Sequence, residues 1–567
     1  MQSIRIKQFL PFILLAAVLI FINIIANSRI GTQPLYTALD LTEEKRYSLT
    51  ESSKQLLRSV DDVVFIRILL DGQFPAGFKR LQNATRDIID DFRQENSLIE
   101  YQFDDPLKGD GGDVKERQQT LAEAGIFPVN LRVKDSDATT TSTIYPYAVV
   151  YYKGRQMPVN LLENQVLGND EMVLNNSVAL LEYKLADAIL KLKTPYKKLI
   201  GFTAGHGELS PKETASLESK VRRYYETDRF YLDSVTSIST DLSALIIAKP
   251  TQPFSDKEKF KIDQYIMNGG KVLWLIDKLD VSLDSLNDGF HFPSEYNTDL
   301  DDLLFKYGVR LQPNLVLDLQ NSKIPLQVGV VSGQPQFDLF NYPYHLVTIP
   351  ASDHPIVKSV DAVNLQFASS IDTSVRIKTD VERTVLLRSS PNTSMQFIPV
   401  RMNFEFLRTL DPTRFDKGEQ ALALLLEGTF PSAYTNRTTQ SMRAGLSQLG
   451  QEVKDISVPN KMIVVSDGDI AKSRVNAQTG EVTPLGFNIY ERKRYSNEEF
   501  LLNALEYLID DSGLIEARGK EIKLRLLDKK KMDDERAYWQ TLNLLLPLLF
   551  LLVFGLVFNF VRNRKYK

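Results

Sequence analysis

Two apolar segments lie near the two ends of this chain, and they constrain its fold more than any other feature. The first spans residues 9–26 and the second spans residues 542–561, and both consist mostly of Leu, Ile, Phe, Val and Ala. A helix needs roughly 20 mostly apolar residues to cross the core of a bilayer. The pattern therefore predicts transmembrane helices at 9–27 and 541–561, with a large globular body between them.

The charged flanks of these segments predict the orientation of the chain. The flanking tails, 1–8 and 562–567, are short and basic, and they carry Arg5, Lys7, Arg562, Arg564, Lys565 and Lys567. Short basic flanks stay in the cytoplasm, so we expect both tails to be cytoplasmic and the body to be translocated. Basic residues between 518 and 531 oppose this assignment, but long domains cross the membrane largely regardless of charge. A cleaved signal peptide, ending near Ala26, is the alternative for the first segment, although its apolar run is longer than usual.

Composition excludes several classes of site. The chain has no cysteine, which excludes disulfides, Cys-ligated zinc, Cys nucleophiles and iron–sulfur clusters. Its net charge of −4 shows no basic excess of the kind that nucleic-acid binding requires. The four His residues are scattered, and neither a P-loop nor a Gly-x-Ser-x-Gly motif occurs. We therefore predict no metal, no cofactor, no nucleic-acid partner and no ATPase activity in the chain itself.

The first half of the body predicts a small α/β domain at residues 35–195. Short runs rich in β-branched residues alternate with segments of helical apolar spacing, in the order β-α-β-α-β-β. The predicted elements include strands at 63–70 and 99–103, helices at 78–95 and 173–192, and a hairpin at 145–160. This order is typical of a thioredoxin-like shape, but the chain lacks the Cys pair that redox chemistry requires.

The second half predicts a doubly wound α/β domain with β-rich additions. Apolar strands at 198–203, 245–248 and 271–276 alternate with helices that begin at capping boxes, Ser210–Glu213 and Ser255–Glu258. We expect the first part of this domain at 196–300, a β-rich addition at 301–460 and a return at 461–514. A third capping box is predicted at Ser496–Glu499.

A charged stalk at 515–540 then leads to the second span. We expect Tyr538 and Trp539 to lie at the membrane interface, together with Arg562, Arg564 and Lys565.

Two polar loops follow predicted strands and are the candidate ligand-binding residues. The first loop contains Gly205, His206, Gly207 and Glu208, and the second contains Asp467 and Asp469. Ligands of open α/β sheets bind at the carboxyl ends of the strands, and backbone amides at a helix start bind anions. The alternatives are a tight turn with a His satisfied by local hydrogen bonds, and a turn that caps the next segment. We predict no catalytic residue.

The order of the motifs resembles one family. The motifs between the two anchors are Leu41-Thr42, Tyr47–Thr50, Gly201–Glu208, Gly269–Lys271, Asp467–Asp469 and Phe500–Leu508. Together they resemble the GldG family, the gliding-motility-associated ABC-transporter auxiliary proteins of Bacteroidetes, over essentially the full chain.

The resemblance implies a non-enzymatic, substrate-binding-like subunit at the bacterial inner membrane, with its body in the periplasm. It implies partnership with a separate permease and a separate ATPase, a role in gliding motility, and contacts with envelope or motility proteins. It also implies a glutamine-amidotransferase-like fold for the central domain, here without the Cys nucleophile. The alternatives are a periplasmic ligand- or sugar-binding hydrolase-like protein that uses His206 and Glu208, and a purely structural envelope anchor.

Overall fold

The computed structural model of the protein shows a mixed α/β fold. It describes residues 48–565 apart from 73, 136–137, 164–169, 287–288, 376–379, 449–451 and 520–533, together with positions 17–18, 20–21, 29–30 and 33–34. The chain forms two compact units, residues 1–521 and 522–567. The predicted first span at 9–27, except for positions 17–18 and 20–21, and stalk residues 520–533 lie outside the described residues.

The first part of unit one contains a four-stranded sheet, and we call residues 48–193 the N-terminal subdomain; the first two strands of the chain precede it. The elements in chain order are β1 (Arg29–Ile30), β2 (Gln33–Pro34), α1 (Glu51–Arg58), β3 (Val64–Ile68), α2 (Ala76–Glu95), β4 (Ile99–Phe103), α3 (Gly111–Glu123), β5 (Val129–Asp135), β6 (Ala138–Ile144), β7 (Tyr147–Tyr152), β8 (Arg155–Asn160), α4 (Asp170–Ala179) and α5 (Leu181–Lys193). The sheet order is β4-β3-β7-β8, with β3 parallel to β4 and antiparallel to β7. The β1–β2 and β5–β6 pairs are separate antiparallel ribbons.

Apolar spacing explains why these residues form this sheet and its helices. Val64, Ile66 and Ile68 alternate with less buried neighbours along β3 and join the core with residues of α2 and α5, such as Phe92 and Ile189. The structure follows the predicted β-α-β-α-β-β order from β3 to β8 except that an unpredicted ribbon, β5–β6, lies between α3 and β7. The single helix predicted at 173–192 is wrong, because the chain breaks at Leu180 into α4 and α5.

The central subdomain, residues 197–509, contains the remaining strands. Its elements are β9 (Leu199–Ala204), α6 (Ala215–Tyr224), β10 (Glu226–Tyr231), β11 (Leu242–Ala248), α7 (Asp256–Met267), β12 (Lys271–Leu275), α8 (Asp301–Lys306), β13 (Arg310–Leu311), β14 (Asn314–Asp318), β15 (Asn321–Val331), β16 (Gln334–Pro350), β17 (Val363–Gln366), β18 (Ile371–Asp372), β19 (Val381–Arg388), β20 (Thr393–Phe397), β21 (Ala421–Gly428), α9 (Gln440–Gln448), β22 (Asn460–Val465), β23 (Phe487–Asn488), β24 (Lys493–Arg494) and α10 (Asn497–Ile509).

A single large sheet organises the central subdomain. Its order is β10-β9-β11-β12-β22-β21-β19-β16-β15, with β17 paired to β16. The first five strands are parallel, and the pairs from β22 onward are antiparallel. Residues of α6 and α10 pack on one face of the sheet, and residues of α7 and α8 pack on the other. Helices therefore cover both faces of the parallel half.

The β-rich stretch after residue 300 extends the same sheet. Strand β21 pairs with β22 on one side and β19 on the other, so it joins the parallel half to the antiparallel half. Strand β21 was not predicted, although its apolar run is continuous. Leu422 and Leu425 face one core, and Leu424 and Leu426 face the other. Burial on both faces produces a continuous apolar run instead of an alternating one.

The predicted helix starts agree only in part with the structure. Ser255 and Glu258 form a reciprocal capping box at the start of α7, as predicted. Ser210 and Glu213 make the same reciprocal bonds, but they close a turn, and α6 begins only at Ala215. The box predicted at Ser496 is wrong, because that side chain makes no capping hydrogen bond at the start of α10.

The second unit contains helix α11 (Arg536–Lys565). The helical segment Tyr538–Lys565 is long and apolar enough to cross a membrane, by length and composition. This helix includes the predicted second span. Tyr538 packs edge-on against Trp539 at 5.4 Å between ring centroids, on the body side of the apolar run.

Candidate functional site

The candidate site lies at the carboxyl ends of the parallel strands. After β9, the chain passes through α6 to β10 on one side, and β11 then pairs with the other side of β9. The loops after β9 and β11 therefore diverge at a topological switch point, where open α/β sheets usually bind ligands. The loops after β12 and β22 lie along the same edge.

The His206 imidazole occupies this switch point. Its ring stacks on Phe254 at 3.7 Å between centroids, and it is only 6% exposed. Its Nε2 lies 3.2 Å from Glu258 Oε1, and its Nδ1 lies 3.4 Å from Glu208 Oε1. The backbone carbonyl of His206 accepts hydrogen bonds from the amides of Thr251 and Gln252 in the loop after β11. The chain's own side chains thus enclose the ring.

The two carboxylates favour the charged form of this imidazole. Burial lowers the pKa of His206, but hydrogen bonds and charge attraction from Glu208 and Glu258 raise it above its ordinary value overall. The same contacts hold the pKa of both carboxyl groups below their ordinary value, against the effect of burial. Both ring nitrogens therefore face carboxylates, Nε2 towards Glu258 and Nδ1 towards Glu208.

The glycines of this loop allow its backbone to pack closely against the loop after β11. Gly205 and Gly207 have positive φ angles of 111° and 71°. A Cβ atom on Gly207 would lie 2.0 Å from Thr251 Oγ1. The amide of His206 donates to Glu208 Oε2 at 2.6 Å, so it is already used within the loop. The loop does not start a helix, since α6 begins at Ala215.

The second predicted loop builds a buried charge cluster. The Lys249 ammonium, just after β11, lies 2.8 Å from Asp277 Oδ2 and 2.6 Å from Asp469 Oδ2. Asp467 accepts hydrogen bonds from the amides of Gln366 and Asp469, each at 2.8 Å. The amide of Gly468 donates to Asp277. Lysine therefore occupies the place between carboxylates that a metal cation could otherwise take.

Burial and like charge perturb this cluster. Burial and the neighbouring Asp469 raise the pKa of Asp277 to about 6. Burial, Asp277 and Asp469 raise the pKa of Asp467 well above its ordinary value. Burial lowers the pKa of Lys249, but Asp277 and Asp469 raise it overall. Within the described ranges, we find no group of three or more His, Cys, Asp or Glu residues that could hold a metal.

A polar cavity of about 500 Å³ lies beside Asp469. Three buried polar atoms on its lining residues have no hydrogen-bond partner in the described part of the chain: Asp469 Oδ1, His345 Nε2 and Ser473 Oγ. Burial lowers the pKa of His345 to about 3, so its ring is neutral at physiological pH. Unpaired buried polar atoms are costly, and they indicate a place for water or for a polar ligand.

Both loops contact residues that the sequence did not mark as candidate site residues. The structure brings Glu258 to His206, and it brings Lys249 and Asp277 to Asp469. Lys249 and Asp277 directly follow predicted strands, so the strand-end rule could have found them. Glu258 was recognised only as a capping residue. His345 lies within β16, where no local pattern marks it.

The chain resembles known proteins mainly over its central subdomain. A family model described as an ABC-type uncharacterized transport system (ABC_transp_aux) matches residues 197–504, more than half of the chain. A domain of unknown function (DUF7088) matches residues 43–151. No curated protein matches the chain.

Two solved structures show only distant likeness. The mmIFT52 N-terminal domain is 13% identical, with 55% of this chain and 96% of that chain covered and a TM-score of 0.30. A putative ThuA-like protein from Parabacteroides merdae is 8% identical, with 59% and 94% covered and a TM-score of 0.25. At these TM-scores, neither likeness carries an argument about the fold or the function.

Proposed function

The chain belongs to the ABC-type uncharacterized transport system family, and from this premise we propose a membrane-anchored subunit that couples a permease and its ATPase to proteins of the cell envelope. The family supports an accessory, non-catalytic role in association with an ABC transporter. The apolar helix α11 fits membrane association. We further propose that the body lies in the periplasm, that the protein is held at the inner membrane and that both termini are cytoplasmic. The complex would be of the GldG type found in Bacteroidetes and needed for gliding motility.

One observation of the site carries the non-catalytic role. At the switch point, where a doubly wound enzyme would bind its substrate, the His206 imidazole is held by Glu208 and Glu258 and stacked on Phe254. This arrangement supports a scaffold over a hydrolase. We retain as proposals the thioredoxin-like and amidotransferase-like shapes and the domain boundaries predicted from the sequence.

Co-purification tests the transporter association. The full-length protein, isolated in mild detergent, should retain the permease and the ATPase, identified by mass spectrometry. A variant that lacks both predicted spans, 9–27 and 541–561, should lose them. The double variant His206→Ala/Glu208→Ala is the matched control, since it should keep both partners and leave gliding unchanged. Undiminished recovery of the permease with the span-free body would contradict the proposal.

The cavity beside Asp469 favours a second candidate function, the binding of a polar ligand such as a sugar. The observation is the set of three buried atoms that have no hydrogen-bond partner in the described part of the chain and belong to residues lining this cavity. Mono- and disaccharides should then raise the melting temperature of the full-length protein. The same sugars should have less effect on Ser473→Ala. Equal shifts in both proteins, or none in either, would remove this candidate.

A purely structural anchor makes a different prediction. Gliding would survive inactivation of the partner ATPase but not loss of this protein. Loss of gliding in both cases supports the transporter role instead.

A further inference from the structure

A second cavity of about 400 Å³ lies between the two subdomains, within the first compact unit. Its walls come from β8, α5, the end of α6, the end of α10 and the segment Leu514–Gly519. Lys198 and Tyr225 line it, and they directly precede β9 and β10. The cavity therefore lies at the amino ends of the parallel strands, at the opposite edge of the sheet from the candidate site.

The floor of this cavity is apolar and aromatic. Met157 and Leu190 contribute from the N-terminal subdomain, and Leu514 and Ile515 contribute from the segment after α10. Three tyrosines, Tyr183, Tyr224 and Tyr225, also line the cavity, together with the 84% exposed Tyr196. Ligand cavities are commonly of about 300–1,000 Å³ and mostly apolar, with a few convergent polar groups. The floor fits the apolar or aromatic body of a small molecule.

Tyr225 supplies a polar group to the wall of the cavity. It is 9% exposed and lines the cavity. Burial raises the pKa of Tyr225, so the hydroxyl stays protonated and can donate. A phenol with an apolar body and a polar tip suits a ligand that is apolar and also carries an acceptor atom.

The charges of the inner wall are balanced. The Lys191 ammonium lies 2.7 Å from Asp187 Oδ2 and 2.6 Å from Glu506 Oε1. Arg518 lies 3.7 Å from Glu506, and Tyr183 donates to Glu506 at 2.5 Å. Two carboxylates thus face two cations. Asp510 and Lys198 also line the cavity, and the Lys198 ammonium pairs with Asp511 at 3.1 Å.

The mouth, in contrast, carries unpaired positive charge. Arg155, Lys197 and Arg223 are exposed lining residues, and none forms an ion pair with a carboxylate among the residues that the structure describes. Arg155 and Lys197 donate only to backbone carbonyls, those of Thr194 and Arg222. Arg223 lies 5.9 Å from the ring centroid of Tyr224. Three cations around an apolar opening attract an anionic group.

We propose that this cavity binds an amphipathic anion. Its apolar or aromatic body would lie against Met157, Leu190 and the tyrosines. Its carboxylate or phosphate group would lie at the mouth, beside Arg155, Lys197 and Arg223. This binding function is additional to the transporter role, and it does not depend on that role.

Equilibrium dialysis with a fluorescent aromatic acid tests the proposal. The full-length protein in amphipol should bind 2-naphthoate saturably, at one site per chain. The neutral analogue 2-naphthamide, which keeps the ring and loses the charge, should bind at least about tenfold more weakly, a difference of about 1.4 kcal/mol. Equal affinity for the two probes, or no saturable binding of 2-naphthoate, would overturn the proposal.

Two variants locate the site, and one controls for charge. Met157→Trp fills the cavity, and Arg223→Glu reverses a charge at its mouth, so each should weaken 2-naphthoate binding at least about tenfold. Lys212→Glu reverses an exposed cation that does not line the cavity, and its binding should stay within about twofold of wild type. Arg223 is exposed, so its variant tests the site even if Met157→Trp fails to fold. Wild-type binding by Arg223→Glu would refute the placement.

Competition experiments distinguish a free acid from a membrane lipid as the source of the bound anion. Displacement of 2-naphthoate by decanoate, but not by vesicles that contain phosphatidate, assigns a free acid. Displacement by the vesicles assigns a lipid. Either result supports an amphipathic anion, and failure of both competitors would overturn it.

Discussion

Replacing Lys249 with Met should destabilise the central subdomain strongly. The substitution removes the ammonium group that bridges Asp277 and Asp469, and it keeps a side chain of similar length. Lys249 is only 9% exposed, so water cannot replace its contacts. The two carboxylates would then face each other, with Asp467 close by, in a buried site.

The expected magnitude follows from breaking a buried ion pair. Removal of one partner typically costs about 3–5 kcal/mol, because the remaining charge stays buried without compensation. Protonation can relieve part of this cost. Burial and Asp469 already raise the pKa of Asp277 to about 6, and loss of Lys249 removes a group that lowers it. We therefore expect a loss of about 3 kcal/mol at pH 8 and a smaller loss at pH 5.

The loss of stability depends on pH mainly through Asp277. Its folded-state pKa lies above the ordinary unfolded value of about 3.9. A group of this kind contributes stability that is present below the unfolded pKa and is lost as pH rises through the folded pKa. The free energy of unfolding of the variant should therefore fall between about pH 5 and pH 8, and more steeply than that of wild type.

Tryptophan fluorescence offers a direct measurement. The chain has two Trp residues, Trp274 and Trp539. Trp274 is fully buried in β12, three residues before Asp277, so a Trp539→Phe background reports the unfolding of this region alone. Urea unfolding of the full-length protein in detergent gives the free energy of unfolding at each pH.

Two further variants make the test decisive. Lys249→Met combined with Asp277→Asn and Asp469→Asn should recover more than half of the lost stability, since no uncompensated charge remains between these positions. Lys212→Met, at an exposed lysine, should change stability by less than about 0.5 kcal/mol. A loss below about 1 kcal/mol for Lys249→Met at pH 8, or no recovery in the triple variant, would refute the reasoning.

Three other changes test the loop after β9 and the start of α7 by the same fluorescence assay. His206→Gln should abolish a stability contribution that is present below about pH 6.5 and lost as pH rises through the raised pKa of His206; an unchanged pH profile would contradict this. Gly207→Ala should cost at least about 1 kcal/mol, because its φ is 71° and Thr251 Oγ1 lies 2.0 Å from the new Cβ, and a neutral result would show that the loop adapts. Ser255→Ala should cost about 1 kcal/mol through loss of the capping box, and Ser255→Thr should retain most of it.

The local spacing of apolar residues predicted those helices and strands whose apolar residues recur at a regular interval. The alternation in β3 and the apolar spacing of α2 are properties of adjacent residues, so the sequence alone indicates them. The apolar run of α11 and its length are likewise local. The break at Leu180 was missed because residues on both sides keep a helical pattern.

Contacts between distant segments could not be predicted in this way. The sequence placed His206 and Asp469 in loops after strands, but it did not indicate that Glu258 and Lys249 would pair with them. Those pairs depend on the order β9-β11-β12-β22 within the sheet. The position of β21 between the two halves of the sheet depends on pairing with both neighbours, which local periodicity does not record.

The absence of cysteine chemistry, the apolar C-terminal helix and most of the strand and helix pattern follow from residue type and spacing, so they can be recognised in the sequence. The burial of His206 against Phe254 and the placement of a lysine between buried carboxylates are visible only in the folded chain. The same is true of the two cavities. Ion pairing and burial depend on distances between segments that lie far apart along the chain, and local residue patterns do not encode these distances.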